Sequence, residues 1–301
     1  MPEIVIPASF TLAQYRLTLA AVEPLPVSLF KGSALRGGFG HTFKRLACRQ
    51  PWPCDKYCQM GNRCAYGYIF ETAPPEDTTV LRNFEDVPRP FIIKPPRDPR
   101  SRLAVGEALA FELVLVGRAD QYRQNFEEVF RELGRVGLGK ASGKYRLMKM
   151  ELTGQTNRAQ IMAHAAALPT GRLTLNFLTP TRLKHQGEWV WEGPPFEVLV
   201  KALLGRISSL SYFHCGQAFE ADFRGLIDRA ATVKIVKSDA LWQDWSRFSG
   251  RQQQRIEMGG LVGQVTYEGD LGDYLPLLAL GELVHGGKGA VFGNGQYQIV
   301  R

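Results

Sequence analysis

The sequence lacks any apolar run close to the ~20 residues that a membrane-spanning helix needs. It opens MPEIVIPASF, with neither a charged leader nor a long apolar core, so no secretory signal is read there. Both absences lead to the expectation of a cytoplasmic protein with no membrane partner. Cysteine is scarce, five residues in 301, and a reducing cytosol would leave them without disulfides. Acidic residues are scarce in three stretches. Residues 31–63 hold seven basic residues and one acid, residues 89–102 five and one, and residues 131–149 six and one. The chain as a whole carries 37 Lys and Arg against 29 Asp and Glu, a net charge of +8. A charge run taken singly is usually solvated surface. Three in one half of the chain favour a phosphate-bearing partner, most simply nucleic acid.

What is present is a pattern that occurs twice. Residues 10–20 (FTLAQYRLTLA) alternate apolar and polar and predict a strand. Leu35, Phe39, Phe43 and Leu46 recur at helical spacing and predict a helix over 33–47 despite its glycines. Residues 66–71 predict a short strand, and 88–99 a Pro-rich loop around a short strand, FIIK. A buried strand follows over 108–116, then a helix over 120–133 with Asp120 as N-cap, then an alternating strand over 144–152. Residues 154–170 read as a polar, Ala-rich connection.

The second half repeats the order. It has a strand over 171–178, a long helix over 194–213, a strand or short helix over 241–248, a strand over 260–267, a helix over 273–284 and a last strand over 291–300. Strand, helix, strand, strand, helix, strand is the ferredoxin-like order. The fold class is therefore α+β, with tandem ferredoxin-like domains over 1–153 and 171–301. RNA-recognition domains share this order and bind RNA across the sheet. Between the last helix and last strand of each copy lies a glycine loop, LGRVGLGKASGKY in the first and HGGKGAVFGNGQY in the second. Glycines let backbone N–H groups approach a ligand closely, and such a loop can cradle phosphates.

The run GLVGQVTYEGDLGDYLPLLALGELVHGGKGAVFGNGQYQIV resembles the C-terminal segment of the CRISPR-associated RAMP endoribonucleases that process precursor crRNA. RFSGRQQQRIEMGG upstream, and SALRGGFGHTFKRLAC through CAYGYIFE in the first half, extend the resemblance. It implies a metal-independent RNase that cuts once in each CRISPR repeat, needs no cofactor for catalysis, and binds repeat RNA and other subunits of an interference complex. Related RAMP proteins share the fold and the loop but serve as non-cleaving RNA-binding subunits, so that alternative stands beside the enzyme. A metabolite-binding ferredoxin-like regulator is the reading from outside nucleic acids, and the basic clusters argue against it.

Metal-free RNA cleavage needs a proton acceptor at the 2′-hydroxyl, a donor at the leaving 5′-oxygen and a cation for the phosphorane. Histidine suits the first two roles because it titrates near neutrality. His41 lies in the first predicted helix beside Lys44 and Arg45, and the family places a catalytic histidine in or near this helix. The other reading of His41 is phosphate binding or packing. His285, next to the second glycine loop, is the second choice for proton transfer, with ordering of the loop the stronger reading, and it is counted with the RNA contacts. The binding candidates are Arg36, Lys140, Lys144, Gly287, Lys288 and Gly289, with Arg247, Arg251 and Arg255, which are spaced by four and share one face if their segment is helical. Phe248 and Tyr267 are candidates for base stacking. Cys48, Cys54, Cys58 and Cys64 are spaced C-x5-C-x3-C-x5-C, compatible with a structural zinc, an iron–sulfur cluster or independent thiols.

Overall fold

Alternation starts the first domain. In β1 (Leu12–Ala21) Tyr15, Leu17, Leu19 and Ala21 are buried while Arg16 is exposed. The structure is a computed structural model, and it describes residues 4–48, 58, 60–74, 87–139, 142–249 and 253–300, with the side chains of 248 and 249 excepted.

Helix α1 (Lys31–Ala47) follows and buries Leu35, Phe39 and Phe43. The Phe39 ring stacks on Phe126 at 4.8 Å and lies 5.3 Å from both Phe43 and Phe130. Two of the helix's glycines are there for contact. A Cβ on Gly40 would lie 2.1 Å from the Phe70 ring, and one on Gly38 2.9 Å from the Leu133 methyls. The residues predicted as a strand over 66–71 form a second helix, α2 (Ala65–Phe70). Tyr66, Tyr68 and Phe70 alternate, which suggested a strand, but Ile69 between them is also buried. In so short an apolar run alternation cannot separate the two states. Gly67 is needed there for close approach, because a Cβ would lie 2.0 Å from the Gly61 carbonyl oxygen.

Strand β2 (Phe91–Lys94), strand β3 (Ala108–Val116), helix α3 (Arg123–Val136) and strand β4 (Tyr145–Thr156) complete this domain. The sheet order is β2-β3-β1-β4, and β3 runs antiparallel to both its neighbours. Asp120 does not cap the helix as predicted. A 3₁₀ turn over Gly117–Tyr122 precedes α3, and the Asp120 carboxylate instead accepts a 2.6 Å bond from the Tyr15 hydroxyl. Burial and that carboxylate hold the Tyr15 phenol above its ordinary pKa.

The predicted connection over 154–170 is mostly regular structure. β4 runs to Thr156, and Asn157 with Gln160 forms a capping box that starts α4 (Arg158–Ala166). The chain divides into compact units at residue 155, with residues up to Phe10 counted with the second unit and Phe213–Gly216 with the first.

The second unit contains β5 (Arg172–Thr181), α5 (Phe196–Cys215, apart from its last turn), α6 (Phe223–Ala230), β6 (Lys234–Ser238), β7 (Leu241–Gln243), β8 (Ser246–Ser249), β9 (Gln254–Glu257), β10 (Gly260–Glu268), α7 (Leu275–Val284) and β11 (Tyr297–Val300). Its sheet order is β6-β10-β5-β11, the first domain's order again, with β7 also paired to β10. The chain thus has two tandem ferredoxin-like domains. Buried tyrosines in the second find carbonyl partners, Tyr267 at Pro194 and Tyr297 at Leu278. The predicted last strand is shorter than expected, because Ala290–Phe292 forms a 3₁₀ turn. The stretch over 241–248 is split between β7 and β8, which belong to different sheets. Among the described residues no helix is long and apolar enough to cross a membrane.

The glycines of α1 divide by their surroundings. Nothing lies within 4 Å of a Cβ built on Gly37. Gly37→Ala should raise stability by about 0.5–1 kcal/mol through lower unfolded-chain entropy. Gly40→Val should lower it by about 1–3 kcal/mol through overpacking against Phe70. Urea unfolding midpoints of the two variants check both signs.

Candidate functional site

Helix α1 presents the first cluster. His41 is exposed, and Lys44 and Arg45 lie three and four residues on, on the same side of the helix. Gly37 lies one turn before His41 and leaves the helix surface bare there. His41 makes no hydrogen bond or ion pair among the described residues, and Lys44 pairs with no acid among them. Arg45 is engaged, its Nη2 2.7 Å from the Glu132 carboxylate on α3, which Arg135 also approaches at 3.8 Å. That pair is solvent-exposed, so it is weak and exchangeable for a phosphate. Arg36 lies off this face, its guanidinium 4.1 Å from the centroid of the Phe70 ring. It packs on the core edge rather than joining the cluster.

Several residues of the basic clusters turn inward. Lys31 is 2% exposed, and its Nζ donates to the Asp98 and Arg100 carbonyls at 2.6 and 2.9 Å. Burial lowers its pKa. Arg100 forks onto Asp98 and holds that carboxyl at a pKa of about 2. Arg89 donates to the Phe70 carbonyl at 2.6 Å. Sequence reasoning counted these residues as surface charge, and nothing in their spacing marked them as internal ties.

The second cluster is the loop after α7. His285 is fully buried at φ 63°, and its Nδ1 lies 3.0 Å from the Asn294 carbonyl. That position closes the loop and does not reach RNA. The Gly286 N–H donates to the Gly295 carbonyl, the Gly295 N–H to the Pro180 carbonyl, and the Lys288 N–H to the Arg182 carbonyl, at 2.9, 3.1 and 3.2 Å. Thr179 Oγ1 donates to the Gly293 carbonyl at 2.7 Å. Gly287 and Gly289 have φ of 77° and 84°, a region that costs other residues strain. Beneath the loop Arg206 donates from Nε to the Val284 carbonyl at 2.7 Å, and burial pulls its guanidinium down to a pKa of about 10. The loop is therefore pinned to the end of β5, and Lys288 is its exposed cation. The matching loop of the first domain is also closed by backbone bonds, between Leu138 and Gly143, with Gly137 and Gly139 at positive φ. Lys144 after it is exposed. Lys140 lies outside the described residues.

Residues 175–297, which contain this loop, match the family model described as CRISPR-associated endoribonuclease Cas6. The second domain, which this model spans, belongs to the Cas6 family. Residues 10–173 match a second model, AF_1859_N, described as an N-terminal domain. A relative from Archaeoglobus fulgidus, described only as an uncharacterized protein, is 22% identical over 291 residues, covering 90% of this chain and 91% of its own. A product complex of Thermus thermophilus Cas6 superposes with a TM-score of 0.60 at 16% identity, covering 96% of this chain and 99% of its own. The Cas6 part of a partial Cas6-RT-Cas1–Cas2 complex gives 0.61 at 14% identity, covering 98% of this chain and 47% of that longer one. These structural likenesses establish the fold. The model that matches the second domain describes CRISPR-associated endoribonucleases.

Other predicted contact residues are placed differently from expectation. Arg247 and Arg255 lie on the β8–β9 hairpin, not on a helix. Arg247 opposes Ile256 while Arg255 opposes Phe248, so the two arginines face opposite sides of the ribbon. Arg247 sits 4.7 Å from the Phe292 ring centroid, tying the hairpin to the glycine loop, and burial lowers its pKa. Arg255 is exposed. Arg251 lies outside the described residues, as does the Phe248 side chain. Tyr267 is fully buried and cannot stack on a base.

The cysteine reading gains no support. Cys48, Cys58 and Cys64 are half-buried, and Cys54 lies outside the described residues. Among the described residues no three His, Cys, Asp or Glu side chains converge to hold a metal.

The loop geometry predicts which substitutions matter. A Cβ on Gly295 would lie 1.7 Å from the Gly286 oxygen, at φ 73°. Gly295→Ala should destabilise the second domain by roughly 2–4 kcal/mol, from positive-φ strain plus overpacking. Lys288→Ala should leave the melting temperature within a degree or so of wild type. Differential scanning calorimetry of both variants checks the contrast.

Proposed function

We propose that this protein cuts CRISPR repeat RNA without a metal cofactor. The 2′-hydroxyl beside the scissile phosphate attacks phosphorus, the bond to the 5′-oxygen of the next nucleotide breaks, and the products carry a 2′,3′-cyclic phosphate and a 5′-hydroxyl. His41 is the proton-transfer residue. As neutral imidazole it takes the 2′-hydroxyl proton, while a water molecule protonates the leaving 5′-oxygen and is restored by the proton the imidazolium releases. Lys44 stabilises the charge on the phosphorane, and Arg45 joins it by exchanging Glu132 for the phosphate. The exposure of His41, beside Lys44 and the bare surface at Gly37, carries this reading. The helix that bears it is held by the Phe39 aromatic cluster, so the imidazole's backbone is fixed before substrate arrives. Lys288, Lys144 and Arg255 bind phosphates, giving affinity and salt dependence without sequence choice.

The second reading is a non-cleaving RNA-binding subunit that works with other proteins of a CRISPR complex. The prior engagement of Arg45 with Glu132 favours it, because one cation of the cluster is already neutralised.

The deciding experiment is cleavage of end-labelled cognate repeat RNA in excess EDTA, wild type beside His41→Ala. A single cut by the wild type, slowed roughly 10²–10⁴-fold in the variant, is expected for loss of one proton-transfer group. Repeat binding should stay within about threefold. An unchanged rate in the variant removes His41 from the mechanism, and binding without any cut by the wild type selects the second reading.

A further inference from the structure

A shallow pocket on the sheet of the second domain is lined by Arg172, Thr174, Gln264 and Thr266, with Lys237 and Asp239. None of these side chains is aromatic, so base stacking across the sheet is not available there. Aromatic rings gather elsewhere in the same domain. Trp189 and Trp191 follow β5, and Trp242 is in β7. The Trp191 and Trp242 centroids are 4.3 Å apart, and Trp189 lies 6.5 Å from Trp242. Trp242 is held by a 2.7 Å bond from Nε1 to the Asp244 carboxylate. Trp191 is 56% exposed, a large apolar ring left in water.

Three cations surround the inner tryptophan. The Arg182 guanidinium carbon, Lys184 Nζ and Lys288 Nζ lie 4.2, 4.8 and 5.7 Å from the Trp189 centroid. Arg182 is anchored by its bond to the Glu257 carbonyl, and its own carbonyl holds the Lys288 N–H. Lys184 and Lys288 pair with no carboxylate among the described residues. Glu188 and Glu192 flank the tryptophans in sequence, yet neither forms an ion pair with them. Two lysines that pair with no acid among the described residues, beside an exposed ring, match a polyanion with flat, apolar groups.

We propose that this cluster is a stacking platform for unpaired nucleotides of the RNA. A base lies on Trp191, backed by Trp242 and Trp189, and Lys184 and Lys288 take the adjoining phosphates. The assignment rests on the RNA-binding reading above and adds a place where single-stranded segments are held. Stacking is sequence-tolerant, because every base has a π-face. The platform therefore selects for unpaired RNA, not for a particular sequence.

The test compares three RNAs by fluorescence anisotropy: the cognate repeat, an unrelated single-stranded uridine oligomer and a fully paired RNA duplex. Trp191→Ala should weaken oligomer binding about tenfold, and Trp191→Tyr should restore it to within about threefold. Duplex binding should be unchanged in both. Lys184→Ala should reduce the salt slope of oligomer binding by about one. Circular dichroism melting confirms that each variant is folded. If the wild type binds the repeat and Trp191→Ala binds all three RNAs equally well, the platform is overturned and the RNA-processing function stands. An equal loss on oligomer and duplex also overturns it, since stacking requires unpaired bases. If the wild type binds none of the three, the RNA-binding reading itself fails and the platform with it.

Discussion

The docking of α1 through Phe39 is the contact on which the site proposed in the first domain depends. Phe39 reaches α3 through Phe126 and Phe130, and β2 through Phe91. Gly38 and Gly40 bring the helix backbone close enough for those rings to meet. With that side of α1 committed to the core, the 3.6-residue period turns His41, Lys44 and Arg45 outward. The same packing that stabilises the domain thus decides which polar residues of the helix are available to a substrate. Bulk added at Gly40 would disturb the site without touching it.

Positive charge in this protein serves two separate purposes. Lys31, Arg89 and Arg206 spend donors on backbone carbonyls, and the exposed Arg100 is neutralised by Asp98 and Glu107. Arg206 does so half-buried, at the end of α7, where a cation meets the helix's negative end. Those contacts hold loops in place and offer nothing to an anion. Lys44, Lys144, Lys184, Arg255 and Lys288 stay at the surface or half-exposed. Net charge therefore overstates the binding surface, and the placement of each cation defines it.

The duplicated domains divide the work. The first carries the histidine helix. The second carries the pinned glycine loop, whose backbone bonds to β5 present Lys288 beside Trp189. The loops sit at equivalent places in the two copies, but only the second has an aromatic cluster against it among the described residues. A rigid loop suits phosphate contact, because little entropy is lost when an anion binds.

Sequence periodicity by itself determined the architecture. Strands such as 108–116 and the helix at α1 followed from alternation and from 3.6-residue spacing, and their repeated order yielded two ferredoxin-like domains. The glycine loop and the run around it also marked the Cas6 family before any contact was known. Local pattern failed where segments are short or their partners distant. Residues 66–71 alternate yet fold as a helix, with Gly67 close against Gly61. The arginines at 247 and 255 keep helical spacing yet lie on opposite sides of a hairpin. Tertiary structure alone decided that His285 is buried, that Lys31 ties a loop, and that Trp189, Trp191 and Trp242 meet. Trp191 and Trp242 are 51 positions apart in the chain, and their contact arises only when β7 pairs with β10. Secondary structure reads interactions within a few residues, whereas burial and convergence depend on partners that the fold brings from far along the chain.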